Sequence, residues 1–221
     1  MMRIIAVIII LSLMLAINAL AQKDPAAQEY LDRVAEEAMQ NKPLQFDFTY
    51  HLESVEDEDL NITQEGTAIL KGDKYRIEMP STHIFFDGKF LYNYIPEVDE
   101  ITISLPEEEY DEFFLNKPSK IFTLYKEDFK YRLTNKFTEH GRNMVEIDLH
   151  PHELERSYFR IRLHIDADDN EIVRVTIFEK MGNRYTLTLS NYKHLNDYPD
   201  SKFTFNPEES PETTVMDLRE L

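Results

Sequence analysis

The chain has 221 residues, of which 42% are hydrophobic and 30% are charged, a balance typical of one globular domain. A net charge of −18 argues against binding nucleic acid or anionic lipid by electrostatic attraction. The sequence contains no cysteine, which excludes disulfides, a thiolate nucleophile and a lipid carried on a cysteine thiol.

The first 21 residues have the order of a secretory signal peptide. Arg3 provides a positive charge, Ile4–Ile17 is an apolar run broken only by Ser12, and an Ala-Leu-Ala sequence ends at Ala21. The apolar run of 14 residues is shorter than the roughly 20 that an uncleaved membrane anchor requires. We therefore expect cleavage after Ala21 and export of residues 22–221 to the periplasm.

The residues after the signal peptide predict an amphipathic helix. Asp24 suits the N-cap position, and Pro25 suits the first helical position, where no backbone N–H is needed. Apolar residues then recur at helical spacing. They are Ala27, Tyr30, Leu31, Val34 and Ala38. The sequence 41–43, which contains proline, predicts the end of this helix.

From residue 44 onwards apolar and polar residues alternate, which is the period of a half-buried strand. The predicted strands are 44–52, 62–71, 74–79, 82–86, 89–94, 100–105, 129–138, 143–150, 158–165, 171–181 and 184–192, with shorter ones at 203–205 and 215–218. We therefore predict one mainly β domain from 22 to 221. It should be an incomplete, open antiparallel β-barrel of about ten or eleven strands, covered by the N-terminal helix and by short helices.

The apolar stretch around Asp87-Gly88 is the most informative local feature. Asp-Gly between two apolar runs favours a tight β-hairpin, because both turn positions tolerate φ > 0. Both arms are apolar almost throughout, so the hairpin should be buried in a curved structure. Phe85, Leu91 and Tyr94 are candidate walls of a cavity there, and the alternation leaves open which set faces inward.

Two short helical segments interrupt the strands after Pro106, and the acidic run Glu107–Glu109 suits the first turn of a helix. Bulky apolar residues recur in both segments at helical spacing. They are Tyr110, Phe113 and Phe114 in the first segment and Ile121, Phe122 and Tyr125 in the second. Two interpretations stay open: the segments fill one end of the barrel as ordinary core, or they form a lid that moves.

Motifs that would indicate catalysis or metal binding are weak. His150 and His152 flank a proline, which favours a turn over a metal site. The acidic run 166–170 lacks the glycine and glutamate of an EF-hand loop, so a solvated hairpin turn is the better interpretation. No Gly-x-Ser-x-Gly sequence is present. We therefore expect neither an enzyme nor a metal site nor a cofactor.

Several segments, taken in order and spacing, resemble the LolA family of periplasmic outer-membrane lipoprotein carriers. The segments that carry the resemblance are Phe46–Thr49, Gln64–Lys71, Phe86–Tyr94, Pro118–Phe122, Phe203–Pro207 and Val215–Asp217. The resemblance implies an open barrel that binds acyl chains of lipoproteins between sheet and helices. It also implies transfer from the inner to the outer membrane by a monomer, with an inner-membrane ABC transporter and an outer-membrane receptor as partners.

The excess of aromatic residues, together with the resemblance, predicts an acyl-chain cavity. The expected lining residues are Phe46, Phe48, Ile69, Tyr75, Phe85, Leu91, Tyr94, Phe113, Phe114, Ile121 and Phe122.

One departure from the family pattern concerns the arginine that couples lid closure to cargo release in this family. It follows the lysine of the second strand, but here Gly72-Asp73 follows Lys71. Arg76 is the nearest arginine, and alternation puts it on the opposite face from Tyr75. Two other functions stay open: a sensor or interaction domain of the same fold that binds lipid or peptide to regulate a partner, and a lipid hydrolase.

Overall fold

One sheet makes up most of the molecule in a computed structural model that describes residues 23–55, 61–106, 117–127 and 129–219. Twelve strands occur in these residues. They are β1 (Leu44–Glu53), β2 (Ile62–Lys71), β3 (Lys74–Glu78), β4 (His83–Phe86), β5 (Leu91–Ile95), β6 (Glu100–Ser104), β7 (Phe129–Glu139), β8 (Arg142–Pro151), β9 (Tyr158–Asp166), β10 (Glu171–Glu179), β11 (Arg184–His194) and β12 (Thr214–Asp217). The predicted signal peptide and the segment with Phe113 and Phe114 lie outside the described residues.

The strand order is β12-β6-β5-β4-β3-β2-β1-β11-β10-β9-β8-β7. Neighbours along the chain pair as antiparallel hairpins, and β1 pairs on one side with β2 and on the other with β11. The sheet is therefore two meanders joined at its centre, with β12 and β7 as its edges in the described part of the chain. This confirms the predicted open, mainly β fold. The short strand predicted at 215–218 is β12, and it departs from the antiparallel prediction because it pairs with β6 in parallel.

The turns agree with the sequence except at Asp87-Gly88. Gly72 has φ +59 in a two-residue turn, as a type II′ hairpin requires at that position. The predicted two-residue turn at Asp87-Gly88 is wrong, because Phe86 pairs with Leu91 and the loop has four residues. The Oδ1 of Asp87 accepts hydrogen bonds from the backbone N–H groups of residues 89 and 90, at 2.8 and 2.7 Å, and this stabilises the longer loop.

Helix α1 (Pro25–Ala38) begins where the sequence predicted. The Oδ1 of Asp24 caps it by accepting from the Ala26 N–H at 2.9 Å. The Asp24 N–H also donates to the Tyr131 carbonyl at 3.1 Å, and Oδ2 accepts from the Leu133 N–H at 3.1 Å. These bonds fix the start of α1 along edge strand β7. The buried stripe of the helix contains Ala27, Leu31, Val34 and Ala35.

The second helical segment of the sequence forms helix α2 (Lys120–Thr123), followed by a 3₁₀ turn at Leu124–Lys126. Its apolar side chains are almost fully buried, and each is at most 4% exposed. They are Ile121, Phe122, Leu124 and Tyr125. Helices α1 and α2 cover the same face of the sheet, which we call the inner face.

Residues 195–219, which we call the C-terminal arm, cover part of the opposite, outer face. A 3₁₀ turn at Asp200–Phe203 replaces the strand predicted at 203–205. The Nζ groups of Lys71 and Lys74 donate to the Asp200 carboxylate at 2.7 and 2.6 Å. Arg76 donates to the Lys202 carbonyl at 2.9 Å, and Phe203 is fully buried. The arm is therefore held on β2 and β3 by charge-assisted hydrogen bonds.

A close backbone approach makes Gly66 of β2 necessary. A Cβ there would lie 2.4 Å from the Glu78 carbonyl oxygen and 2.7 Å from Cζ of Phe48. We expect Gly66→Ala to lower the free energy of unfolding by about 1–3 kcal/mol, since the backbone carbonyl and the buried ring must both move. Urea unfolding measures this effect. Glu65→Ala, at the exposed neighbouring position, is the control; equal effects of the two substitutions would contradict the steric argument.

The stabilisation that the bonds between Asp200 and the two lysines give to the C-terminal arm should also depend on pH. Hydrogen bonds from Lys71 and Lys74 lower the pKa of Asp200 to about 2. Because this pKa is lower in the folded state, its stabilising effect is present above about pH 4 and is lost as the pH falls towards 2. We expect Asp200→Asn to destabilise the protein at pH 7 and progressively less below pH 4, measured by urea unfolding across that range. The control, Asp73→Asn, removes an exposed carboxylate from the neighbouring turn. A deficit of Asp200→Asn that is constant with pH would be the contrary result.

Candidate functional site

The largest apolar cluster lies between the inner face and the two helices. Phe46 of β1 is at its centre, with its ring 6.0 Å from that of Phe122 in an edge-on arrangement and 5.5 Å from that of Tyr192. Phe46, Ile121 and Phe122 are each at most 2% exposed. The helices therefore close this part of the inner face to water.

Six of the residues predicted to line an acyl-chain cavity belong to this cluster. They are Phe46, Phe48, Tyr75, Leu91, Ile121 and Phe122. Their common face follows from the period of two along β1 and β3 and from the register, in which Tyr75 pairs with Phe86 and Phe86 with Leu91. The structure thus brings together side chains from three strands and α2.

Three of the predicted lining residues lie on the outer face: Ile69, Phe85 and Tyr94. Phe85 and Tyr94 belong to a second cluster with Ile101 and Ile103, and the Phe85 ring stacks on that of Tyr92 at 5.1 Å. Ile69 pairs across the sheet with Arg76, whose side chain contacts the arm. Of the candidate cavity walls Phe85, Leu91 and Tyr94, only Leu91 therefore lies on the inner face, where it pairs with Phe86.

The remaining two predicted residues, Phe113 and Phe114, lie outside the described residues. The structure adds inner-face residues that were not predicted to line a cavity, among them Phe86, Leu124 and Tyr192. Phe86 stacks on Tyr75 at 5.6 Å. Its pairing with Tyr75 in the register is the signal that would have identified it. Tyr192 donates its hydroxyl to the Ile172 carbonyl at 2.8 Å, and burial raises its pKa.

The inner face is less covered towards β4 and β5. Ile84, Phe86 and Leu91 are only partly buried there, in contrast to the residues beneath α2. Near the end of α1, a cavity of about 50 Å³ separates Phe122 and Leu44 from Glu171 and His194. This volume holds a few water molecules at most. Burial raises the pKa of Glu171, and Nε2 of His194 lies 3.3 Å from a Glu37 oxygen.

A hydrogen bond connects the two helical covers. The Tyr125 hydroxyl donates to Oδ1 of Asp32 on α1 at 2.5 Å. Burial raises the pKa of Tyr125, and the bond to the carboxylate adds to the effect, so the hydroxyl keeps its proton at neutral pH. Arg76 lies on the outer face, as its alternation with Tyr75 predicted, and therefore does not contact the helices.

The motifs considered for metal binding have structural partners. Nδ1 of His150 lies 3.1 Å from the Phe159 carbonyl oxygen. Asp166 accepts from the Asp168 backbone N–H at 3.0 Å and so closes the hairpin turn. Within the described residues there is no group of three or more His, Asp or Glu side chains placed to hold a metal ion. No helix in those same residues is long and apolar enough to cross a membrane.

Solved structures are similar to this chain at low sequence identity. An uncharacterised conserved protein from Thermus thermophilus has a TM-score of 0.56 and 15% identity, covering 87% of this chain and 99% of that one. The Mycobacterium tuberculosis lipoprotein LppX has a TM-score of 0.48 and 11% identity, covering 80% and 100%. MucB in the Pseudomonas aeruginosa MucA/MucB complex has a TM-score of 0.42 and 15% identity, covering 83% and 62%.

No curated protein matches the chain. The family model for the outer membrane lipoprotein carrier protein LolA matches residues 40–206, which include β1 to β11 and the start of the arm. The match thus covers most of the chain, including both halves of the sheet and α2. This protein belongs to the LolA family.

Proposed function

We propose that this protein is a periplasmic carrier that binds the acyl chains of lipoproteins on its inner face and transfers them from the inner to the outer membrane. The observation that supports this most directly is the aromatic inner face, part of which is covered only by α2, a helix of four residues. Membership of the LolA family supports the same proposal. The side chains that the fold brings together on the inner face are apolar and suit the binding of an acyl chain.

The energies of opening and binding are comparable. Displacing α2 and its 3₁₀ turn would expose four buried side chains, at a cost of about 6–12 kcal/mol. A roughly 16-carbon acyl chain loses about 12 kcal/mol of unfavourable hydration when it is fully buried, at about 0.8 kcal/mol per CH₂. An acyl chain therefore replaces α2 with a small net change, which allows both uptake and release. In this proposal α2 occupies the site until cargo arrives.

The partners follow from this cycle. An inner-membrane ABC transporter supplies the acylated lipoprotein, and a receptor at the outer membrane accepts it. A monomer without a cofactor is sufficient, because the acyl chains are held by burial alone. The Tyr125–Asp32 hydrogen bond, at 2.5 Å, takes the place of the family arginine as the polar contact that favours the closed arrangement.

Depletion of the protein in its own host tests the transport role. We expect lipoproteins of the outer membrane to accumulate in the inner-membrane fraction, and acylated lipoprotein to co-purify with the protein. Mass spectrometry of the purified protein identifies the cargo. Normal lipoprotein distribution together with a bound regulatory protein or peptide would overturn the carrier proposal and favour the sensor function.

The helix contact provides a second prediction. Tyr125→Phe removes a hydrogen bond to a carboxylate that contributes about 1 kcal/mol to the closed arrangement. Because a larger fraction of molecules is then open, we expect a fluorescent fatty acid to bind about three- to tenfold more tightly. Fluorescence titration measures the dissociation constant.

Tyr94→Phe is the matched control. It also removes a tyrosine hydroxyl that donates to a carboxylate, that of Asp99 at 3.1 Å, but it does so on the outer face. We expect unchanged fatty-acid affinity for this variant. Equal affinities for Tyr125→Phe and the wild type would show that the contact does not control opening. A changed fatty-acid affinity of Tyr94→Phe would indicate that the acyl chain binds on the outer face instead of the inner face.

A further inference from the structure

Charge is distributed very unevenly along this acidic chain. Residues 129–194, which form β7 to β11, contain 11 Lys and Arg and 10 Asp and Glu, a net charge of +1. The rest of the chain contains 13 Lys and Arg and 32 Asp and Glu, a net charge of −19. The negative charge of the protein therefore comes from outside this half of the sheet.

Basic side chains of this half lie together on the outer face. Arg132, Asp148 and Arg162 are directly paired across β7, β8 and β9. Arg160, Phe178 and Arg184 form a second row across β9, β10 and β11. We call the set Lys130, Arg132, Arg160, Arg162, Arg174 and Arg184 the basic face. Its members alternate with the core residues of the same strands and so point away from the helices.

The local carboxylates only partly neutralise this surface. Asp148 is 6% exposed and accepts from Nε and Nη2 of Arg162 at 2.7 and 2.9 Å, so its negative charge lies beneath the guanidinium group. Lys130 and Arg132 are exposed and form no ion pair with a described residue. Arg174 and Arg184 each have one carboxylate partner, at 3.7 and 3.2 Å. Their partners Glu53 and Glu139 are as exposed as the arginines, and Glu146 pairs with Arg162 at 3.1 Å. The positive excess of the basic face therefore lies mainly at Lys130 and Arg132.

Aromatic rings hold the arginines flat on the surface. The Arg160 guanidinium lies 3.9 Å from the centre of the Phe178 ring, and that of Arg184 lies 5.4 Å from it. Nε of Arg160 is buried without a hydrogen-bond partner among the described residues. Phe159, whose ring is 6.3 Å from that of Phe178, is 46% exposed. Cations and an exposed aromatic ring are thus interleaved on one surface.

Apolar residues extend this surface at one end of the sheet. Leu154 and Met181, on the connections beside β9 and β10, are 79% and 68% exposed. The two connections touch, since Lys180 donates its backbone N–H to the Ser157 carbonyl at 2.9 Å. Exposed apolar side chains next to cations are typical of surfaces that lie at the interface of a lipid bilayer.

We propose that the basic face docks the protein on an anionic phospholipid bilayer. The net charge of the whole chain predicts repulsion from such a surface, but at physiological salt charges more than about 8 Å away are largely screened. The basic face and the exposed residues beside it then determine the interaction. An acidic surface of a second copy would also attract the basic face, but the exposed side chains of Leu154, Phe159 and Met181 favour a bilayer, because they can insert into its interface.

This orientation has a consequence for access to the inner face. The helices lie on the opposite side of the sheet from the basic face, so α1 and α2 stay uncovered while the protein rests on lipid. The surface itself is defined without reference to acyl-chain binding. It is therefore tested separately from the proposed carrier function.

Co-sedimentation with vesicles of phosphatidylethanolamine and phosphatidylglycerol at physiological salt tests the proposal. We expect binding to these vesicles and none to vesicles of phosphatidylcholine alone. Lys130→Glu/Arg132→Glu should weaken binding about twentyfold or more, because each basic side chain near an anionic bilayer strengthens binding about fivefold. Phe159→Ser should weaken it further through loss of apolar contact.

Lys42→Glu/Lys89→Glu is the matched control. It produces the same change in net charge at two exposed lysines outside β7 to β11 and should leave binding close to that of the wild type. All variants should have the thermal unfolding temperature and the fatty-acid affinity of the wild type. Absence of wild-type binding, equal binding to phosphatidylcholine, or equal loss in the two double variants would each overturn the proposal. Loss of fatty-acid binding alone would instead count against the carrier function.

Discussion

The fold depends on the pairing of β1 with β11, which joins two separate meanders into one sheet. This pairing contains a bulge on β11, where Asn191, with φ +54, and Tyr192 lie opposite Phe46 alone. The Asn191 amide donates to Asp47 at 2.8 Å and fixes the bulge. The ring of Tyr192 consequently lies against Phe46, at the centre of the apolar cluster. The same irregularity therefore connects the halves of the sheet and shapes the surface beneath the helices.

The sheet buries apolar residues on both faces, and the two covers differ. Hydrogen bonds from Lys71, Lys74 and Arg76 hold the C-terminal arm on the outer face. On the inner face, α2 is four residues long, and its 3₁₀ turn contacts α1 through Tyr125. The arm is thus fixed by several charged contacts, whereas α2 is small and held mainly by apolar burial. This difference is the physical basis for proposing that the inner face exchanges its cover for a ligand.

Much of the fold followed from periodicity. Asp24-Pro25 predicted the start of α1, and the alternation from residue 44 predicted β1 and the side on which Phe46 and Phe48 lie. Phe85 and Tyr94 were named together with Leu91 because both arms of the hairpin are apolar, so composition does not show which alternate set of side chains faces the helices. The parallel pairing of β12 was also unpredictable. Its four residues are all exposed, so no apolar pattern specifies their partner.

The contact between Asp24 and β7 also limits how the sheet can grow. An exposed sheet edge invites the strand of another molecule, and unlimited growth requires two available edges on each copy. The backbone at Tyr131 and Leu133 is already bonded to Asp24, and a register shift between Leu133 and Asn135 interrupts the regular edge next to them. Edge-to-edge association through β12 would therefore end at two molecules instead of continuing as a fibre. If the inner face opens as proposed, this limit on growth also protects the protein from aggregation.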